Sequence, residues 1–436
     1  MRFWIWLRER IGAEQVGRRG RQKLRKLASR PRPRFRPRLD ALEDRCVPST
    51  LTVTNPVDDV NVQGTLRYDI AHAQSGDTIL ISPALHGTPI VLTQGELLLT
   101  KNVTIEGLPN NPATISGNNN SRVFEVAAGI HVTLANLAIT NGNGVADNPD
   151  GTSQDDGDGG GILNFGALTI EDGTLSANSA GRLGGGIYNS GTGTVTAIVS
   201  NLSGNSAGIE GGGIFNSSGT VTVIASNLSS NSAVFDGGGI FCSSGTLTVN
   251  ASILTGNSTP GGGGGIDNFS GTVTISGSTL SDNSASFGGG IDNIGPMTVI
   301  ASNLSGNTAT SEGGGIFNSS GTLTVNHSTL TGNTAGDQGG GIENFFSAQL
   351  TVSGSTLSGN SASLGGGIAN SATVTIRASN LSGNSANQGG GIYNVTGTLT
   401  VNDSTVRRNH APLGADLYLA GGVLINNHST IGDIFP

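Results

Sequence analysis

Asp267 and Asp292 hold the same place in two consecutive copies of a repeated sequence. Hydrolysis of a glycosidic bond requires two carboxyl groups about 5 to 10 Å apart, one to donate a proton and one to attack or to activate water. The same place in other copies carries Tyr188, Phe215, Phe241, Phe317, Glu343, Ala369 and Tyr393. Aromatic rings at repeat spacing would form a platform for sugar rings; the plainer reading is that outward strand positions simply accept aromatics and acids. Polysaccharide lyase chemistry is poorly supplied. It needs a strong base, Arg or Lys, beside an acid-held Ca2+, and residues 49–436 offer only Arg67, Lys101, Arg122, Arg182, Arg377, Arg407 and Arg408.

Two further groups invite a chemical reading. Asp147, Asp150, Asp155, Asp156 and Asp158 crowd the segment NPDGTSQDDGDGGG. Oxygen ligands in a glycine-rich loop suit Ca2+, with Asp155, Asp156 and Asp158 as candidate ligands. An EF-hand register and its closing Glu are missing, so a solvated acidic linker with no cofactor is the competing expectation. Thr-x-Thr pairs recur at Thr220/Thr222, Thr246/Thr248, Thr272/Thr274, Thr322/Thr324 and Thr398/Thr400. Outward threonine arrays occur on ice-binding β-helices, but threonine is an ordinary strand former, and Pro296 and Gln349 interrupt the file.

What must position these side chains is the repeat itself. Gly-Gly-Gly-Ile occurs ten times, ending at Ile162, Ile187, Ile214, Ile240, Ile266, Ile291, Ile316, Ile342, Ile368 and Ile392, at intervals of 24 to 27 residues. A typical unit, residues 313–335, reads GGGIFNSSGTLTVNHSTLTGNTA. It holds three short alternations, Gly-Ile-x-Asn, Thr-Leu-Thr-Val and Ser-x-Leu, each ended by Gly, Asn or Ser, and no helical period. Strands this short cannot make a self-sufficient sheet, so burial must come from stacking unit on unit. The expectation is an all-β, right-handed parallel β-helix of about ten regular ~25-residue coils, with irregular coils at both ends. Residues 64–74 are predicted to form a short helix that caps the N-terminal end.

Residues i and i+2 of a strand face the same way. The Asn two places after each Ile should therefore point inward and stack as an amide ladder through Asn164, Asn189, Asn216, Asn268, Asn293, Asn318, Asn344, Asn370 and Asn394. Cys242 stands where one rung should be. A second column, Asn178, Asn205, Asn231, Asn257, Asn283, Asn307, Asn333, Asn360, Asn384 and Asn409, is placed in the turns.

Composition agrees with a solenoid and excludes other classes. Only 12% of the 436 residues are charged, against about 25% in ordinary globular chains. The 71 glycines lack the every-third-residue period of collagen. The net charge of −8 combines +10 over residues 1–48 (15 Lys+Arg, 5 Asp+Glu) with −18 over the rest (7 and 25). The leader, with Phe3, Trp4, Ile5, Trp6 and Leu7 ahead of an Arg/Pro tract, cannot bury a core and is expected to be disordered and to serve targeting. A nucleic-acid role is not expected, because the acidic body would repel phosphate. Cys46 and Cys242 are too few for a disulfide scaffold and wrongly spaced for zinc, and no apolar run approaches the 18 residues of a spanning helix.

The boundaries read as a leader (1–48), an N-terminal cap with irregular coils (49–140), an acidic Gly/Asp loop (141–160), regular coils (161–409) and a divergent last coil (410–436). Gly-Gly-Gly-Ile followed by Leu-x-x-Asn, as at Leu304-Ser-Gly-Asn307, resembles the GGA[ILV] and FxxN repeats of polymorphic outer-membrane proteins, with Leu in place of Phe. Residues 65–79, TLRYDIAHAQSGDTI, resemble the opening segment of pectin-lyase-like bacterial repeat proteins, from which Tyr68 and Asp69 depart. Residues 42–49, LEDRCVPS, are similar to the LE-x-R-x-x-PS element behind basic leaders of some bacterial surface proteins. These resemblances imply export and a cell-surface or extracellular place, and a non-catalytic adhesion or binding scaffold whose partner is a glycan or another cell. The membrane barrel of the outer-membrane family has no counterpart in the alternation before Pro436. The alternative is a carbohydrate-active enzyme, lyase or hydrolase, using Asp267 and Asp292; ligand binding would fall to Tyr188, Phe215, Phe241, Phe317 and Glu343.

Overall fold

The computed structural model describes residues 48–144 and 157–436, which belong to one compact unit, Val47–Pro436. The leader up to residue 47, and Asp147, Asp150, Asp155 and Asp156 of the acidic loop, lie outside the described residues.

Three long parallel sheets of 15, 14 and 14 strands run the length of the unit. They make a right-handed parallel β-helix of about 14 turns, roughly 65 Å of stack at ~4.8 Å per turn. One turn adds a strand to each sheet, for example Ile214–Asn216, Thr220–Ile224 and Asn227–Ser229; we call these the isoleucine, valine and leucine sheets. Equivalent residues lie on one another: Ile214 pairs with Ile240 and Ile240 with Ile266, while Val221 pairs with Leu247 and Leu228 with Leu254. All of these are fully buried. Burying one such side chain contributes about 1.5–3 kcal/mol, and only the stack makes that burial available.

The stack extends beyond the ten Gly-Gly-Gly-Ile turns at both ends. The irregular N-terminal sequence supplies Thr50–Val53, Ala113–Ser116 and Phe124–Val126, strands with no repeat signature. The apolar run from His131 breaks into His131–Ala135 and Leu137–Thr140, because Asn136 at φ 53° turns the chain from one sheet to the next. The capping helix is shorter than expected, Leu66–His72, with the Thr65 side chain accepting from the Tyr68 amide. Its Arg67 donates to Asp58 at 2.6 Å and to the carbonyls of Gly95 and Glu96. Asp58 also accepts from the amides of Thr93 and Gln94, so helix and first turns are tied through one buried ion pair.

Polar ladders hold the turns in register. Asn189 donates to Asn216 at 2.8 Å, and the chain resumes from Asn268 to Asn293, Asn318, Asn344, Asn370 and Asn394. The second asparagine column lies in the turns between strands, as expected, and there it is buried and bonded more densely than the first. In it, both the amide and the Nδ2 of Asn307 donate to Asn333 Oδ1, and Nδ2 also donates to the Leu280 carbonyl. A serine ladder went unread: the Ser226 amide donates to Ser252 Oγ while Ser226 Oγ donates to the Ile224 carbonyl, and the pattern repeats along the stack.

Cys242 leaves a measurable defect. Asn216 Nδ2 reaches its Sγ only at 3.8 Å, and Sγ turns to the Ser244 carbonyl. Asn268 Oδ1, the next acceptor, is buried with no hydrogen-bond partner. Cys242→Asn should supply the missing donor and raise stability by about 1–2 kcal/mol, whereas Asn307→Ala, which orphans several buried groups, should cost roughly 3 kcal/mol. Urea midpoints of the two variants check both signs.

Candidate functional site

Between the leucine and isoleucine sheets each turn makes an outward excursion, residues 206–213 in one turn. Short strands order it: Ser206–Ala207 pairs with Ser179–Ala180 and Ser232–Ala233, and Ser284–Phe287 with Thr308–Glu312. The returning chain passes across the outward face of the isoleucine sheet at the first glycine of each triplet. At Gly237, φ is 65° and an added Cβ would lie 2.7 Å from Phe241 Cβ. Glycine is thus required both for the left-handed backbone and for the close approach.

That crossing corrects the expectation of an open aromatic platform. The column between Ile and Asn does point away from the interior, but Tyr188, Phe215 and Phe241 are buried, Phe215 at 5% exposure. They pack with Leu163, Phe165 and Leu183 as a second, smaller core. The rings stack face to face along the column, Tyr188 on Phe215 and Phe215 on Phe241 at 5.2 Å. Their faces are used up by each other, and a sugar ring would find no face to stack on.

On the very next turn the column becomes acidic, Asp267 lying in register with Phe241. Asp267 and Asp292 are in direct register, and their Oδ2 atoms converge on Gly262 of the outer excursion. An added Cβ there would collide with Asp292 Oδ2 and lie 3.0 Å from Asp267 Oδ2. Burial, then Asp292 and the nearby acids, push Asp267 well above the usual carboxylate range; burial and Asp236 raise Asp292 to about 7. Charge on Asp292 works against ionisation of Asp267, so the two carboxyls titrate as a pair. Asp292 Oδ1 is closed off without a partner. Glu343, in register between Phe317 and Ala369, is 1% exposed. Its Oε2 has no hydrogen-bond partner, and burial together with Glu312 raises it to about 8.

A second column, missed in the sequence, lies beside the first. The residues preceding the glycine triplets from the second onward, Leu183, Glu210, Asp236, Gly262, Phe287, Glu312, Gln338, Leu364 and Gln388, with Leu413 one turn later, form a file linked largely by isolated parallel bridges or the short outer strands. Its signal was legible as a fixed offset from Gly-Gly-Gly. Burial and the neighbouring Asp236 raise Glu210, and burial and Asp337 raise Glu312. Along the opposite flank, the residue after each ladder Asn leaves Phe269, Ile294 and Phe345 exposed, joined by Phe346 at 75%. Phe317, half-buried, links Phe287 (5.5 Å) to Phe345 (6.3 Å), and Phe345 touches Phe346. The result is a shallow face with acids on one side, a floor of Asp292, Phe317 and Glu343, and exposed rings on the other.

Asp158, the one described member of the proposed Ca2+ set, is buried; it accepts from the Leu183 amide and pairs with Arg182 at 3.7 Å. Among the described residues, no cluster of three or more His, Cys, Asp or Glu is placed to hold a metal ion. None of their helices is long and apolar enough to cross a membrane.

The buried acids set an unusual pH dependence. Carboxyls whose pKa is raised by folding bind protons that the unfolded chain has released, so their contribution is full below the ordinary carboxylate range and is lost as pH rises through the folded values. Stability should therefore decline between about pH 5 and 8, the window bounded by about 7 for Asp292 and about 8 for Glu343. Asp58 has the opposite sign: burial pushes it up, but Arg67 and two amides outweigh this and hold it low, so its contribution fades only in acid. Glu343→Gln should flatten the decline and make the variant the more stable protein at pH 8, which urea melts at pH 5, 6.5 and 8 would show; an unchanged slope would refute the assignment.

Compared with known proteins, the chain matches no family model and no curated protein.

Proposed function

We propose that the protein is an exported, cell-surface or extracellular scaffold that binds a glycan, without transforming it, on the acidic and aromatic face of its β-helix. The observation that carries this reading is the run of rings Phe287, Phe317, Phe345 and Phe346, all but Phe317 exposed, beside partly exposed carboxyls on a sheet whose register admits little movement. Exposed aromatic groups in contiguous patches mark interaction surfaces. Phe346 adds to this: a bulky residue at φ 61° and 75% exposure is an unfavourable backbone state kept with no compensating burial of its ring. Export is supported by the basic leader and the LEDRCVPS junction.

The enzymatic alternative meets a steric objection. Asp267 and Asp292 are close enough to act as a pair and carry the raised proton affinity of a general acid. However, the main chain at Gly262 lies against both Oδ2 atoms, in the space where a scissile bond would have to sit. Clefts open elsewhere, as at Arg67, Glu96 and Lys101 or at Arg407, Arg408 and Asp433, away from this pair.

A glycan array read together with a reducing-sugar and unsaturated-product assay separates the readings. The scaffold predicts array binding without product, weakened about tenfold by Phe346→Ala at an unchanged urea midpoint. Product release that disappears in Asp267→Asn or Asp292→Asn would overturn it in favour of the enzyme.

A further inference from the structure

The charge of this face narrows the kind of glycan. Residues 183–376 contain no Lys or Arg, and their acids are Glu210, Asp236, Asp267, Asp282, Asp292, Glu312, Asp337 and Glu343. All but Asp282 belong to the outer excursion or to the outward column beside it. Turns are ~4.8 Å apart and charges are felt over about 8–10 Å, so the carboxyls of neighbouring turns act together. Their mutual repulsion shows in Glu210 against Asp236 and in Glu312 against Asp337. A polyuronate would meet this field with its own negative charge.

A separate observation points to a missing donor. Glu343 Oε2 and Asp292 Oδ1 are enclosed acceptors without hydrogen-bond partners, on the floor of the same face. These turns contain no Lys or Arg to pair with them. Beside them stand the rings of Phe345 and Phe346, suited to the apolar face of a sugar or to a cation.

We propose that the ligand of this face is an amine-bearing glycan, an oligosaccharide of 2-amino-2-deoxy sugars with free, protonated amines. Its ammonium groups lie against the partly exposed Glu312 and Asp337, and its rings lie on Phe345 and Phe346. The assignment rests on the glycan-scaffold reading and specifies its ligand class. A basic polypeptide shares the charge but fits less well. The strands here are hydrogen-bonded turn to turn on both sides, so the face offers no free main-chain edge to pair with a peptide backbone.

The test is calorimetry on the full chain at pH 6 with four probes: a glucosamine hexamer, its fully N-acetylated counterpart, oligogalacturonate and poly-lysine. The expected result is binding of the glucosamine hexamer, at least about tenfold weaker binding of the acetylated form and none of the galacturonate. Glu312→Gln combined with Asp337→Asn should weaken the hexamer about tenfold with the β-rich circular dichroism spectrum retained, as should Phe346→Ala at an unchanged urea midpoint. Equal or tighter binding of the acetylated or galacturonate oligomer overturns the amine assignment and leaves the glycan scaffold standing. Failure of all three oligosaccharides, with a blank glycan array, overturns both. Binding of poly-lysine that matches the hexamer and is indifferent to Phe346→Ala assigns the face to a basic polypeptide and overturns the proposal.

Discussion

Like-on-like contact between successive turns is the constraint from which the rest follows. No single turn can bury its own isoleucine, valine and leucine, because each of its strands carries only one or two inward side chains; burial exists only when the next turn repeats the same residues at the same height. Apolar columns alone would tolerate a slip along the strand direction, since one aliphatic side chain resembles another. The asparagine and serine ladders do not tolerate it. Each Nδ2 or amide must find the oxygen of its own counterpart, and a slip of one residue would leave a file of enclosed donors and acceptors unpaired, at about 1–3 kcal/mol each. The apolar columns thus supply most of the cohesion, and the polar files supply the register.

The same constraint creates the acidic face. Turns held ~4.8 Å apart force any outward column to be a dense file of one kind of side chain against the next. Where that file is aromatic, as from Tyr188 to Phe241, stacking makes the density favourable. Where it is acidic, as at Asp267 and Asp292, the density is unfavourable. The outer excursion worsens it by covering the carboxyls, so that they hold protons instead of charge. A fold that needed only stability would place threonine there, as it does along the exposed side of the valine sheet. Acids retained under cover at several turns are a cost that the interior of the helix does not explain, and it falls on the flank where the exposed rings gather.

The interior was legible in the sequence because its rules are periodic. The 24- to 27-residue spacing, the inward Ile and the Asn two places later lead to the stack without ambiguity. The N-terminal turns were only partly legible: Ala113–Ser116 and Phe124–Val126 join the same sheets through burial against neighbours, with no motif to announce them. The outer excursion was the real omission. In a strand, alternation says which side chain leaves the interior, but it does not say whether solvent or another stretch of chain waits outside. Gly-Gly-Gly held the answer, since Gly237 needs to be glycine only if its backbone crosses directly over Phe241. The second asparagine column does lie between strands, as at Asn307, but its burial was not legible. Asn after Gly or Ser reads locally as a turn residue, and only its recurrence at every turn marks it as a ladder.

Rigidity bears on what such a face can do. Catalysis by a carboxyl pair requires an opening between the two groups that a substrate can enter and a product can leave. Asp267 and Asp292 are fixed to adjacent rungs by main-chain pairing on both sides, and Gly262 is fixed over them by the neighbouring excursions. Opening that space would mean peeling one excursion from its neighbours, which breaks the parallel bridges above and below it. The exposed rings and the outer carboxyls need no such motion. They stand preorganised, so a ligand would lose its own freedom on binding while the protein lost almost none. A stack built by repetition therefore favours recognition of a repeating ligand: each additional turn presents another acid or ring at the same spacing, and several weak contacts add along one rigid face.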